Sequence, residues 1–141
     1  MKQIKGPGIF LAQFASDEKP FNSFPEICSW AAELGFKGIQ IPSWEGRLFN
    51  LETAANSQDY CDEIKGIAGE VGLEITELST HLKDQLVAVN PTYEHMFYCF
   101  ALKHVQNNPK PRTECVILQM IYSANSSHIF CLISYSPFSG A

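Results

Sequence analysis

The residues with the clearest chemical potential follow three short apolar segments. Gln13 follows the first, the stretch PSWEGRLF (42–49) follows the second, and STHLKDQ (79–85) follows the third. Within the last stretch, His81 could bind a substrate hydroxyl or act as acid or base, because an imidazole donates and accepts protons near neutral pH. We therefore predict that His81 contacts substrate, although a histidine that is merely hydrogen-bonded in a loop remains the alternative.

Two further candidates, Trp44 and Arg47, belong to the second stretch. Trp44 could stack on the apolar face of a sugar-like ligand, or it could simply fill the end of the fold. Arg47 could hold a phosphate or carboxylate, but an arginine this close to Glu45 often forms a solvated ion pair instead. We predict His81, Trp44 and Arg47 as substrate-binding residues and assign no catalytic residue.

Carboxylates and the other histidines give weaker indications. Glu77 falls inside the third apolar segment, where an unpaired carboxylate is costly to bury, so we expect it to face a polar region or to pair with a neighbour. Glu45 and Glu77 are a conceivable acid and base pair. His95, His104 and His128 are interpreted as surface residues, and the chain has no compact set of candidate metal ligands, so no metal-binding residue is predicted.

Composition excludes several classes of function. The chain has 141 residues, 45% of them hydrophobic, a formal net charge of -5 and only 10 lysines and arginines, which argues against nucleic acid as a partner. The motifs of dinucleotide binding, Walker-type phosphate binding, serine hydrolysis and zincin chemistry are missing. Five dispersed cysteines without a CxxC pair favour the cytoplasm. The apolar stretches are too short to suggest a membrane span or a signal peptide.

Strand and helix signals alternate along the chain. Ser23 and Glu26 have capping-box spacing before a helix predicted at 24–34, and Gly35 and Gly72 are predicted left-handed helix stops. Strands are predicted at 8–14, 36–42, 73–78 and 130–135. Two further helical stripes are carried by Tyr60, Ile64, Ile67 and Val71 and by Val116, Ile117, Met120, Ile121 and Ala124.

This order predicts an α/β fold with a parallel sheet, because continuously apolar strands need helices to cover them. An open doubly wound sheet and a (β/α)8 barrel both remain possible, and both place the site at the carboxyl ends of the strands. The long connection 80–112 is expected to lie over that end, either covering a pocket or packing as a surface loop.

The chain also resembles the N-terminal half of the sugar phosphate isomerase/epimerase family, the xylose-isomerase-like TIM barrels. The resemblance runs from about residue 4 to residue 141 and is carried by IKGPGIFLAQF, FKGIQIPSWEGRLFNL, SQDYCDEIKG, GLEITELSTHLKDQLVAVNP and FSGA. It implies that residues 1–141 form a partial (β/α)8 barrel with about the first four strands.

For function, the resemblance implies isomerisation between aldose and ketose, or epimerisation, of a sugar or sugar phosphate, assisted by manganese, magnesium or zinc. His81 matches the histidine after the family's third strand, and Trp44 falls in the loop that shapes the pocket. The family's metal ligands come from strands five to eight, so we expect this chain to bind no metal. The chain departs from the family where Asn90 replaces an expected histidine and Cys131 an expected glycine.

A complete barrel takes about 250 residues, so the chain is expected to be a truncated, inactive fragment of an isomerase. The alternative is a non-catalytic half-barrel that self-associates through open sheet edges as a sugar-binding or structural module. A third hypothesis is a metal-dependent endonuclease relative that acts on abasic DNA. The negative net charge of the chain argues against it.

Overall fold

The computed structural model describes residues 6–80, 92, 109–129 and 135–136. Over these ranges strands and helices alternate, with a short 3-10 turn, Leu11–Gln13, after the first strand. The elements are β1 (Gly8–Phe10), α1 (Phe24–Glu33), β2 (Gly38–Pro42), α2 (Leu51–Asn56), α3 (Gln58–Glu70), β3 (Glu74–Ser79), α4 (Pro109–Ile129) and β4 (Tyr135–Ser136).

The strands form one parallel sheet in the order β1-β2-β3-β4. This confirms the predicted α/β fold class and its parallel sheet. The pairing of β2 with β3 is irregular after Ile39, because Ile39 pairs with Ile75 whereas Gln40 pairs with Glu77. Thr76 is therefore an extra residue in β3, and β3 carries a bulge.

Glycine stops end the first two long helices as predicted. Gly35 has φ +88° and Gly72 has φ +78°, a left-handed conformation that residues with a side chain rarely adopt. The predicted capping box is wrong, however. Ser23 is the N-cap of α1 but makes no side-chain capping bond, and its Oγ instead donates to Glu26 Oε2 at 3.2 Å. The same carboxylate also binds Lys19 Nζ at 2.8 Å.

Two local elements differ from the prediction. The strand predicted at 8–14 ends at Phe10, where the chain turns into the 3-10 turn. An additional helix, α2, precedes α3, and its N-cap Asn50 accepts a hydrogen bond from the Thr53 backbone at 2.9 Å. With six residues, α2 is too short to show helical periodicity in the sequence.

The core lies between the sheet and the helices. Ile39 and Ile41 of β2 and Leu78 of β3 are fully buried, and they belong to one cluster with side chains from α1 and α3. The members that α1 and α3 contribute are Phe24, Ile27, Cys28, Ala31, Cys61, Ile64 and Ala68, and α2 contributes Ala54. One face of the sheet is thus covered by helices.

The buried face of helix α4 is not the apolar stripe that the sequence predicts. Val116 is buried as predicted, but Ile117 is 43% and Ile121 50% exposed, and Ala124 is also exposed, so the predicted apolar stripe is wrong for these three residues. Ser123 and Ser126 are fully buried instead. Helix α4 packs mainly on α2, a short helix whose buried residues are the small Ala54 and Ala55, so small serine side chains are compatible with this contact.

Part of the predicted layout lies outside the described residues. Of the strand predicted at 130–135, only the last residue is described, and it pairs with β3 as part of β4. Of the connection 80–112, residues 81–91 and 93–108 are not described, and 109–112 form the first turn of α4. Within the ranges that are described, no helix has the length and apolar character needed to cross a bilayer.

Candidate functional site

The candidate site is the edge of the sheet formed by the carboxyl ends of β1, β2 and β3. Because these strands are parallel neighbours, the loops that follow them start side by side. The Ser43 backbone N–H donates to the Ser79 carbonyl at 2.9 Å, which joins the starts of the second and third loops. Ser43, Ser79 and Thr80 are all buried, so three hydroxyl side chains lie at this edge.

The loop after β2 is anchored at both ends. At its start, the Glu45 N–H donates to the Pro42 carbonyl at 3.1 Å, and the Glu45 carbonyl accepts from Leu48 and Phe49, each at 3.0 Å. At its end, Leu48 and Phe49 are buried in the core, and the Asn50 N–H donates to the Tyr60 hydroxyl at 2.9 Å. The intervening residues are therefore held in a defined position.

Trp44 lies at the start of this loop and contacts the last residue of β1. Its ring is 6.1 Å from the ring of Phe10, centroid to centroid, with an edge-on angle of 76°. Trp44 and Phe10 are both half-buried, so part of each ring remains accessible. The two rings form an aromatic wall at the carboxyl edge, and a stacking role for Trp44 stays a prediction.

Arg47 is bound by two carboxylates. Its Nε and Nη2 reach the two oxygens of Glu45 at 2.7 and 3.0 Å, and its Nη1 reaches Asp17 Oδ1 at 2.6 Å. The hydrogen bonds from Arg47 hold the pKa of the Glu45 carboxyl below its ordinary value. One positive and two negative groups leave this cluster with a charge of -1, so an anion approaching Arg47 would meet two competing carboxylates.

Gln40, which was not predicted as a site residue from the sequence, pairs with Glu77 across β2 and β3. Phe10 of β1 occupies the next position in the same row, because it pairs with Gln40. Successive residues of a strand face opposite sides, and the flanking Ile39 and Ile41 face the helices. Gln40 and Glu77 therefore lie on the other face of the sheet, where both are half-buried.

A signal for Gln40 was present in the sequence. It is a polar residue between two isoleucines of an apolar strand, the same kind of interruption that singled out Glu77. The conceivable acid and base pair of Glu45 and Glu77 gains no contact in the described part of the chain, since Glu45 is occupied by Arg47.

The histidines divide into two groups. His81, His95 and His104 lie outside the described residues, so the substrate-binding prediction for His81 stays a prediction. His128 is exposed in the last turn of α4, which agrees with its interpretation as a surface residue. Over residues 6–80, 92, 109–129 and 135–136, no group of three or more histidine, cysteine, aspartate or glutamate side chains is placed to hold a metal ion.

Comparison with known proteins adds no relative. No protein-family model matches the chain, and no curated protein matches it.

Proposed function

We propose that this chain is a sugar phosphate isomerase/epimerase-like protein that contributes the first strands of a (β/α)8 barrel and part of its sugar-binding surface. The observation that supports this best is the strand order. Neighbouring parallel strands follow one another as β1-β2-β3-β4 without the reversal that marks the switch point of a doubly wound sheet. Such a consecutive order is what a (β/α)8 barrel requires.

The positions of the polar side chains on and after the strands support this proposal. In barrels of this kind the ligand binds at the carboxyl ends of the strands. Trp44 and Arg47 follow β2 at that end, and Gln40 and Glu77 lie on the strand face away from the helices. In the proposed function these residues bind and orient the sugar, and His81, directly after Thr80, adds a contact from the third loop.

A divalent metal, manganese, magnesium or zinc, would polarise the substrate oxygens in the family that the chain resembles. The described residues do not fit a metal site of their own. The family's metal ligands come from its later strands, so we assign this chain a role in binding the sugar and none in binding metal. We further propose a cytoplasmic location, with no nucleic acid or membrane partner.

The proposal is tested by saturation-transfer NMR of the 141-residue chain with D-xylose, D-fructose and their phosphate esters. We expect binding of at least one sugar, and no turnover by this polypeptide with added Mn²⁺, Mg²⁺ or Zn²⁺. Failure of every sugar to bind would contradict the proposed function. Metal-dependent turnover would contradict the assignment of metal binding to other strands.

A second candidate function is a self-associating half-barrel that acts as a binding or structural module. The observation that favours it is the exposed apolar surface of α4, formed by Ile117, Leu118 and Ile121. Light scattering during size-exclusion chromatography tests it, since a mass equal to that of one 15.8 kDa chain at all concentrations would exclude self-association.

A further inference from the structure

We infer that Gln40 and Glu77 form a hydroxyl-binding pair that selects an uncharged sugar over its phosphate ester. This inference rests on the proposed function and adds a substrate class to it. It concerns the sheet face away from the helices, where the two residues lie opposite each other on adjacent strands.

The bulge in β3 is what places Glu77 there. Ile39 pairs with Ile75, so a regular ladder would put Thr76 beside Gln40, but the extra residue brings Glu77 into that position. The Thr76 hydroxyl donates to the Ile39 carbonyl at 3.0 Å, which ties the bulge to β2. Bulges often occur beside active sites, where they redirect a side chain.

The chemistry of the pair suits a sugar. A carboxylate accepts hydrogen bonds from hydroxyl groups, and a carboxamide both donates and accepts them, so together they match two neighbouring hydroxyls. No hydrogen bond or ion pair to another described residue occupies the side chain of either Gln40 or Glu77. The aromatic wall of Phe10 and Trp44 lies next to Gln40 and provides an apolar surface for the sugar ring.

The charges around this edge disfavour a phosphate. Glu77 is itself an acid, and the cluster of Arg47 with Glu45 and Asp17 carries a charge of -1. Arg47, the residue considered above for binding a phosphate, already makes ion pairs with both carboxylates. A neutral polyhydroxylated ligand avoids the repulsion and still uses the hydrogen-bonding groups.

The test uses Trp44 as the reporter. The chain has two tryptophans, and Trp30 packs on the helix side against Phe14 and Phe21 with ring centroids 4.9 and 5.1 Å away. A Trp30→Phe variant keeps an aromatic ring there and leaves Trp44 as the source of tryptophan fluorescence. This variant is titrated with D-fructose and with D-fructose 6-phosphate.

We expect D-fructose to change the Trp44 emission and to bind at least fivefold more tightly than its 6-phosphate. Gln40→Met and Glu77→Met preserve side-chain length, and each should weaken D-fructose binding about five- to tenfold, the usual effect of losing one such hydrogen bond. Glu33→Met, the same change at an exposed carboxylate on α1, should leave it unaltered. Circular dichroism verifies that each variant is folded.

A further variant tests the charge of Glu77 while keeping the size of its side chain. Glu77→Gln retains hydrogen-bonding capacity but removes the negative charge. It should therefore reduce the difference in affinity between D-fructose and D-fructose 6-phosphate. D-fructose binding that Gln40→Met and Glu77→Met leave unchanged would overturn the inference while the proposed function stands, as would tighter binding of the 6-phosphate. No response to either ligand, together with no sugar binding by NMR, would overturn both.

Discussion

Gly38 and Thr76 meet across the β2–β3 ladder at a distance that leaves no room for a side chain at position 38. A Cβ atom added to Gly38 would lie 2.7 Å from Thr76 Cγ2, closer than real side chains approach. The same Thr76 is the extra residue of the bulge, and its hydroxyl is bonded to the Ile39 carbonyl. The glycine and the bulge therefore depend on each other.

The first prediction follows from this contact. Gly38→Ala should lower the free energy of unfolding by about 1–3 kcal/mol, the usual cost of overpacking a well-filled position. Thr76→Ser removes the methyl group but keeps the hydroxyl, so it should restore much of that loss when combined with Gly38→Ala. Urea unfolding of the two single variants and the double variant measures the coupling. Additive effects would show that the two residues do not clash.

The second prediction concerns the acid titration of Glu45. Arg47 lowers the pKa of this carboxyl, mainly through side-chain hydrogen bonds, so folding gains stability above the ordinary glutamate pKa and loses it as the pH falls through the lowered value. In Arg47→Met the Glu45 pKa should rise above its ordinary value, because burial still opposes the charged form. Carbon-detected NMR titration of the parent chain and of Arg47→Met measures the Glu45 pKa. An unchanged Glu45 pKa would contradict the pairing.

The third prediction concerns the two cysteines of the core. Burial raises the pKa of Cys28 to about 12 and that of Cys61 to about 11, and the Cys61 thiol also lies 3.3 Å from the Ala54 carbonyl. Both should resist iodoacetamide at pH 8 in the folded chain and react in urea, because the thiolate is the reactive form. Peptide mass spectrometry reads out each site. Rapid labelling of Cys28 without denaturant would show that it is not buried.

These thiols also set a pH dependence at the alkaline end. Their pKa values in the folded chain lie above the ordinary value of 9.0. The contribution of these thiols to the free energy of unfolding should therefore be fully present below about pH 9 and should decline as the pH rises through the folded pKa values. A Cys28→Ala variant should lose less stability over this range than the parent chain does.

The fourth prediction compares two buried serines of α4. The Ser126 hydroxyl donates to the Tyr122 carbonyl at 2.8 Å, whereas the buried Ser123 hydroxyl has no hydrogen-bond partner among the residues that the structure describes. Ser123→Ala should therefore stabilise the fold by about 1 kcal/mol, since an unpaired buried hydroxyl is costly. Ser126→Ala should be neutral or destabilising. Thermal unfolding of both variants makes the comparison, and equal effects would contradict it.

Features governed by local chemistry were predictable from the sequence. Gly35 and Gly72 end their helices because a left-handed residue after a helical stripe is a local requirement. The parallel sheet followed from apolar strands separated by helices. The position of Trp44 and Arg47 after β2 followed from the end of that strand at Pro42.

Features decided by neighbours were not predictable in the same way. Helix α4 buries Ser123 and Ser126 and packs mainly on the short helix α2, and its own apolar stripe does not contain that information. The pairing of Gln40 with Glu77 depends on a bulge that a single strand does not reveal. Ser23 has the spacing of a capping box, yet Lys19 competes for Glu26.

The bulge also changes how β3 alternates. Ile75 packs against the core and Leu78 is fully buried in it, although they are three positions apart and a regular strand would place them on opposite faces. The alternation of side chains between the two faces of the sheet therefore shifts by one residue within β3, and the shift occurs at Thr76. A strand of this kind presents Glu74, Ile75, Glu77 and Leu78 in a pattern that follows neither a period of two nor that of a helix.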